Sequence, residues 1–219
     1  MAAALLELRD ASAGYAGRAV LDGLDLRLRP GEHVAVLGRS GAGKSTLLSL
    51  LYQRLSDRAA LIPQAAALVG TLSVFHNVYM GRLDRHSACC NLRMLALPTR
   101  EEVDSLPSVL GGVGMEDHLF RRAGALSGGQ QQHVSVARAL YNGRPVVIGD
   151  EPVSALDRLQ GGEVLRRLAA RHGTMVLAMH DIGLALAHAQ RLLVLDDGRI
   201  VLDAPAATLT VGDLLPLYG

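Results

Sequence analysis

Gly38-Arg39-Ser40-Gly41-Ala42-Gly43-Lys44-Ser45-Thr46 has the G-x-x-x-x-G-K-[ST] spacing of a phosphate-binding loop. It follows a short apolar run, His33 to Leu37, and opens a stretch of helical character from Lys44 to Leu55. The chemistry of such a loop is anion capture. Gly38, Gly41 and Gly43 let the backbone curl so that successive N–H groups converge on phosphate oxygens at the positive end of a helix. Lys44 supplies a point charge for the β- and γ-phosphates, and the Ser45 hydroxyl can ligate Mg²⁺. A glycine-rich turn without a ligand is the plainer alternative, and the strand–loop–helix setting argues against it.

Asp150 ends the apolar run Val146-Val147-Ile148-Gly149, which puts a carboxylate at the sheet edge, where a magnesium partner is needed. Glu151 comes next. Consecutive strand residues point to opposite sides, but a chain that turns at a strand end can present both carboxylates to a nucleotide, and Glu151 would then polarise a water for attack on the γ-phosphate. His180 closes the apolar run Met175 to Met179 in an equivalent position, suited to sensing the γ-phosphate. Gln64 also ends a strand-like run, and its amide oxygen can serve Mg²⁺ or the attacking water. Each of these residues taken singly has an ordinary structural reading; their shared position at strand ends favours chemistry.

A second glycine-rich stretch lies far downstream: Leu126-Ser127-Gly128-Gly129-Gln130. Ser127 is a good N-cap, and Ser127-x-x-Gln130 has capping-box spacing. The helix it opens carries Val134, Ala137 and Tyr141 at helical intervals. A well-capped helix explains the serine and the glutamine. It does not explain Gly128-Gly129, which weakens a helix for no packing gain. Two residues without side chains make sense where something anionic must come close to the N–H groups. If this helix belongs to a separate subdomain, its own phosphate loop is an awkward source for that anion. A second copy of the chain removes the difficulty.

The elements that must position these groups alternate. Leu5 to Leu8 and Val20 to Leu28 read as strands, followed by a turn at Pro30-Gly31 and by the strand His33 to Leu37. The helix Lys44 to Leu55 leads into the strand Ala59 to Ile62. From 65 to 125 the pattern loosens into a helical subdomain, with pieces near Ser73 to Gly81 and Arg100 to Val109 and breaks at Pro98, Pro107 and Gly111-Gly112. This subdomain continues into the helix of residues 127–141. Next come the strand Val146 to Ile148, a helix from Gln160 to His172, the strand Thr174 to Met179 and a helix through His188. A hairpin at Arg191 to Leu202 turns on Asp197-Gly198. Uniformly apolar strands alternating with helices predict an α/β fold with a mainly parallel sheet, plus a small antiparallel N-terminal part. The expectation is one domain over residues 1–219.

Composition narrows the partners. The chain has 219 residues, a net charge of +1 and 49% hydrophobic residues. Near neutrality argues against nucleic acid as a partner. A mean hydropathy of +0.23 leaves two explanations open, surface held against a partner or simple richness in Ala and Leu. Cys89 and Cys90 are adjacent and have no ligand spacing, so neither a disulfide framework nor a zinc site is expected. The start, Met1 to Glu7, lacks the basic region of a signal peptide, and no run approaches the ~18 apolar residues of a membrane span.

In this order the motifs resemble the ATP-binding subunits of ABC transporters, P-loop NTPases, and the similarity runs over nearly the whole chain. Gly38 to Thr46 looks like Walker A, Gln64 the Q-loop, Leu126 to Gln130 the signature, Val146 to Asp150 with Glu151 the Walker B strand and catalytic glutamate, and His180 the switch histidine. The resemblance makes Ser154-Ala155-Leu156-Asp157 the D-loop and Tyr15 the aromatic residue that stacks on adenine. It implies ATP and Mg²⁺ as ligands, with Ser45, Gln64 and Asp150 around the metal. It implies a head-to-tail dimer with each ATP between one Walker A and the other signature. Transmembrane permease subunits would hold the pair at the cytoplasmic face of the inner membrane, served by a solute-binding protein if the system imports. Leu72 to Val78, Gly81-Arg82-Leu83, the run from Glu151 to Asp157 and the closing Leu217-Tyr218-Gly219 are similar to phosphonate-type importer ATPases, which points to uptake of a phosphonate-like oxyanion. An ABC exporter or lipoprotein-release ATPase is the alternative within transport. A soluble P-loop kinase gives Ser127 to Gln130 no task, and a non-transport ABC ATPase would want long inserts or tandem domains. Four departures stand out: only 19 residues separate Lys44 from Gln64, and His133, Gly149 and Arg158 replace the usual arginine, bulkier residue and proline.

Overall fold

The structure, a computed structural model, describes residues 3–15 and 17–217. Met1, Ala2, Tyr218 and Gly219 of the terminal segments read above lie outside the described residues. Six strands form the main sheet in the order β4-β5-β6-β3-β7-β8. They are β3 (His33–Leu37), β4 (Ala59–Ile62), β5 (Val146–Asp150), β6 (Thr174–Ala178), β7 (Arg191–Asp196) and β8 (Arg199–Pro205). All neighbours are parallel except β7 and β8, whose hairpin turns on Asp197 and Gly198, both at positive φ. Such a pair suits the two-residue hairpin turn whose twist matches the flanking strands.

The apolar runs of β5 and β6 are buried at every position because both faces of the sheet are covered. On one face lie α1 (Lys44–Leu55) and the separate antiparallel pair β1 (Leu6–Tyr15) and β2 (Arg18–Leu28). Leu47 and Leu51 of α1 pack there with Leu21, Ile148, Val176 and Leu193. Full burial of a leucine is worth about 2 kcal/mol, so these two side chains fix where α1, and the loop before it, sits. The other face is covered by α5 (Gly128–Asn142), α6 (Arg158–Arg171) and α7 (Ile182–His188) through Val134, Ala137, Leu165, Leu168 and Ala185. Between β4 and α5 the chain forms α2 (Val74–Tyr79), α3 (Ala88–Ala96) and α4 (Arg100–Gly111), with 3₁₀ segments after α2 and after α4. Phe75, Val78, Leu106 and Leu110 join these helices to the same apolar cluster.

Two local expectations are corrected and one helix is added. The first strand runs Leu6–Tyr15, well past Leu8, because β2 pairs with it along its length. Its register shifts near Asp10, at φ 49°, and again before Gly14, so the alternation that marks a strand in sequence is broken. Pro107 does not break its helix. α4 passes through it, with Pro107 exposed and fully buried Leu106 and Leu110 anchoring the helix to the core. Water can satisfy the carbonyl that loses its partner. The helix α3, capped by Ser87 accepting from the Cys90 N–H, adds a third helical piece to the two that the sequence pattern marks in 65–125.

The short 44–64 segment contains α1, β4 and a three-residue turn. Arg144 closes it, donating to the carbonyls of Ser56 and Ala59 while pairing with Asp84 at 2.6 Å. The parallel registers then bring the ends of four strands together. Val36 and Asp150 both lie beside Ala178, and Ile62 lies beside Gly149. In open α/β sheets ligands bind at the carboxyl ends of the strands. Here that edge carries Gly38, Gln64, Glu151 and His180.

Candidate active site

Gly38 leaves β3 at φ 143°, where a Cβ would lie 2.2 Å from the Leu195 carbonyl oxygen. Both the dihedral and the contact forbid a side chain. Gly38→Ala is therefore expected to lower stability by about 2–4 kcal/mol, read as a fall in the thermal unfolding midpoint. Gly43, at φ 102°, precedes α1 and orients its first turn. Lys44 folds back so that its Nζ donates to the carbonyls of Gly38 at 2.7 Å and Arg39 at 3.0 Å. It is only 7% exposed. Burial holds its pKa below the usual lysine value, opposed by the carboxylates of Glu151 and Asp150. Those opposing charges mark the cleft as the meeting point of one ammonium and two carboxylates.

Asp150 is buried, and its Oδ2 accepts from the Ser45 hydroxyl at 2.5 Å. Glu151 adopts φ 54°, a conformation that costs a non-glycine residue roughly 1–2 kcal/mol. That turn brings both acids to the site. The Glu151 N–H donates to the Ala178 carbonyl, and Ser154 returns its N–H and hydroxyl to the Glu151 carbonyl. The Glu151 carboxylate then meets His180 Nε2 at 2.5 Å and Gln64 Nε2 at 3.4 Å. A carboxylate only accepts, so the His180 proton sits on Nε2 in this arrangement.

Together these groups line a cleft of ≈ 250 Å³, walled by Ser40, Gly41, Gly43, Lys44, Ser45, Thr46, Gln64, Glu151 and His180, with Val20 of β2 at its edge. Val20 had no chemical signal in sequence; only the packing of β2 over the loop places it. The donors available to a cation are the Ser45 hydroxyl, the Asp150 carboxylate and the Gln64 amide oxygen. This set is hard and oxygen-only. No cluster of three or more His, Cys, Asp or Glu suited to a metal occurs among the described residues. A cation held by one or two protein oxygens with phosphate oxygens completing its shell fits such a site, and that is the habit of Mg²⁺.

Other expected site residues stand apart. Ser127 caps α5 through a full capping box, its hydroxyl accepting from the Gln130 N–H while Gln130 Oε1 accepts from the Ser127 N–H. None of Ser127 to Gln130 is among the residues walling the cleft. A Cβ on Gly128 would meet nothing within 4 Å, and one on Gly129 only Ala155 at 3.6 Å. Packing within the chain therefore does not require these glycines. Tyr15 ends β1 with 61% exposure, outside the cleft. Asp157 caps α6 by accepting from the Gln160 N–H, and Ser154 braces Glu151. Two of the departures sit in tight surroundings. A Cβ on Gly149 would approach Leu177 Cδ2 to 2.8 Å, and half-buried His133 is held towards its neutral form by burial. A larger hollow of ≈ 520 Å³ lies elsewhere, between β4, the Met80–Leu83 turn and α5, and contains no phosphate-loop residue.

Residues 21–154 match the ABC transporter domain family. The chain belongs to the ABC transporter family. As an ABC-family ATPase it is 36% identical, over 97% of its length, to phosphonates import ATP-binding proteins PhnC of Anaeromyxobacter dehalogenans and Pseudomonas entomophila. It spans 48% of the first of these relatives and 91% of the second. Over 91% of its length it is 38% identical to the macrolide export ATP-binding/permease protein MacB of Nitrosomonas europaea, of which it spans 34%. An ATP-binding cassette solved as a dimer in a post-hydrolysis state with ADP and Pi shares the ABC fold at a TM-score of 0.79, with 24% identity, 91% of this chain and 98% of that one covered.

Proposed function

We propose that this ABC ATPase powers uptake of a phosphonate-like oxyanion, working as a head-to-tail pair in which each ATP is gripped by the phosphate loop of one copy and by Ser127 to Gln130 of the other. One observation carries the two-copy reading: the chain has a fully assembled phosphate cleft and a glycine-opened helix that this cleft does not use. The solute class rests on the phosphonate import relatives at 36% identity.

In this reading the loop N–H groups and the Lys44 ammonium hold the triphosphate. Ser45, Asp150 and Gln64 would hold Mg²⁺, which would supply charge neutralisation for the phosphates. Glu151 accepts a proton from the attacking water, whose oxygen bonds to the γ-phosphorus as the bond to ADP breaks. His180, donating to Glu151, fixes the carboxylate and senses the γ-phosphate; Gln64 flanks it. Tyr15 stacks on adenine from the exposed end of its hairpin, and Ser154 and Asp157 shape the loop that meets the second copy. Closure uses binding energy for a conformational switch, and hydrolysis releases it.

Residues 65–125, continuing into α5, form the helical subdomain that carries this motion to permease subunits at the cytoplasmic face of the inner membrane. The ≈ 520 Å³ hollow suits the docking, because Arg138 in its wall donates to the carbonyls of Ala66 and Ala67 at 3.1 Å. A partner pressing there bears on the segment that begins at Gln64. A second reading, export, is favoured by the macrolide-export relative at 38% identity. Co-reconstitution with the membrane partner in proteoliposomes separates the two. Import predicts that a phosphonate raises ATP turnover severalfold only when a solute-binding protein is present. Stimulation by a macrolide or lipid without any binding protein would replace import by export.

A further inference from the structure

Arg158 opens α6, and its guanidinium forms a two-pronged pair with Asp181, Nε to Oδ2 at 2.8 Å and Nη2 to Oδ1 at 3.2 Å. Asp181 directly follows His180. The same carboxylate also caps α7, accepting from the Leu184 N–H at 2.9 Å. We propose that Arg158 is a positioning residue that ties the loop after β5 to the loop after β6 and so holds His180 against Glu151. The inference rests on the reading that Glu151 and His180 act on the γ-phosphate.

Two further observations support it. One cavity of ≈ 150 Å³ is lined from both loops, by Glu151, Val153, Leu156 and Arg158 of the first and by His180 and Asp181 of the second. The space is unfilled, and the Arg158–Asp181 fork and the His180–Glu151 contact both bridge from one loop to the other beside it. Gly183 is the second observation. A Cβ there would lie 3.1 Å from Asp181 Oδ1 and 3.3 Å from Arg158 Nη2, so the absent side chain makes room for the fork. The Leu184 N–H first, and then the guanidinium, keep the Asp181 carboxyl below the ordinary aspartate range, against its partial burial. It therefore stays charged. An exposed ion pair ordinarily adds little to stability. Its value here is geometric, because a planar fork fixes orientation as a lysine ammonium cannot.

The test compares Arg158→Gln, Arg158→Lys, Gly183→Ala and, as reference, His180→Ala, each measured for kcat, KM for ATP and unfolding midpoint. Arg158 does not wall the ATP cleft. Arg158→Gln is expected to lower kcat about tenfold with KM and midpoint unchanged, within the range of couplings measured inside one ion-pair and hydrogen-bond network. Lysine restores part of the loss. Gly183→Ala, which removes no polar group, reproduces the same split, and combining it with Arg158→Gln adds nothing further. Unchanged kcat in Arg158→Gln while His180→Ala is inactive overturns the positioning role alone. A loss that follows the unfolding midpoint, or that raises KM in step, overturns it as well. Normal turnover by His180→Ala removes the underlying reading of the site, and the role of Arg158 with it.

Discussion

Glu151→Gln is expected to cut ATP turnover by about 10²-fold or more while leaving ATP binding intact, since a positioned general base contributes on that scale. Glutamine keeps the shape of the side chain and an amide oxygen for the His180 and Gln64 contacts seen at 2.5 and 3.4 Å. Only the proton-accepting carboxylate is lost. If two copies close over ATP and hydrolysis reopens them, the variant binds, closes and stays closed. Phosphate release and sedimentation on the same sample give both readouts: turnover falls and an ATP-dependent dimer accumulates. Near-normal hydrolysis with no such dimer removes Glu151 from its role. Removing one carboxylate also withdraws a charge that raises the Lys44 pKa, but leaves Asp150 in place, so loop binding persists.

Gly128→Asp is the second large effect, and it separates the fold from the assembly. The Cβ position is open, so the protein folds, and a carboxylate in the first turn of α5 favours the helix by about 0.3–1 kcal/mol. The unfolding midpoint should hold or rise. If each ATP is shared between two copies, turnover should nevertheless fall about 10²-fold, because the new charge would face the partner's triphosphate and remove a stabilisation of that order. The decisive arm mixes this variant with Lys44→Ala. Each is inactive alone, yet a mixed pair contains one site built from an intact phosphate loop on one copy and an intact signature on the other. Recovery of part of the turnover on mixing is the expected result. No recovery, or full activity of Gly128→Asp as a monomer, rules out the shared site.

Much of the site was legible because its chemistry is carried by short contiguous runs. The phosphate loop, the acid pair after an apolar strand and the histidine after the next one need no distant information to be read. Sheet order was legible only in outline. Uniform apolarity of β5 and β6 announces burial on both faces, whereas the bulged β1 hides its length because register shifts near Asp10 destroy its alternation. Pro107 misled for a related reason. A local helix breaker was overruled by the burial of Leu106 and Leu110, a contribution that comes from other elements. The Arg158–Asp181 pair was invisible in sequence, since nothing local joins residues 23 positions apart.

The sequence alone determined a phosphate-loop motif between a strand and a helix, a second helix opened by two glycines, and which charged residues stand at the strand ends. These follow from backbone geometry and side-chain chemistry within a few consecutive positions. Only the tertiary structure decided that Glu151 turns into the cleft at φ 54°, that His180 and Gln64 converge on it, and that Ser127 to Gln130 stay outside it. Those outcomes depend on strand order and on what packs over each face, and such long-range burial has no signature in any local run.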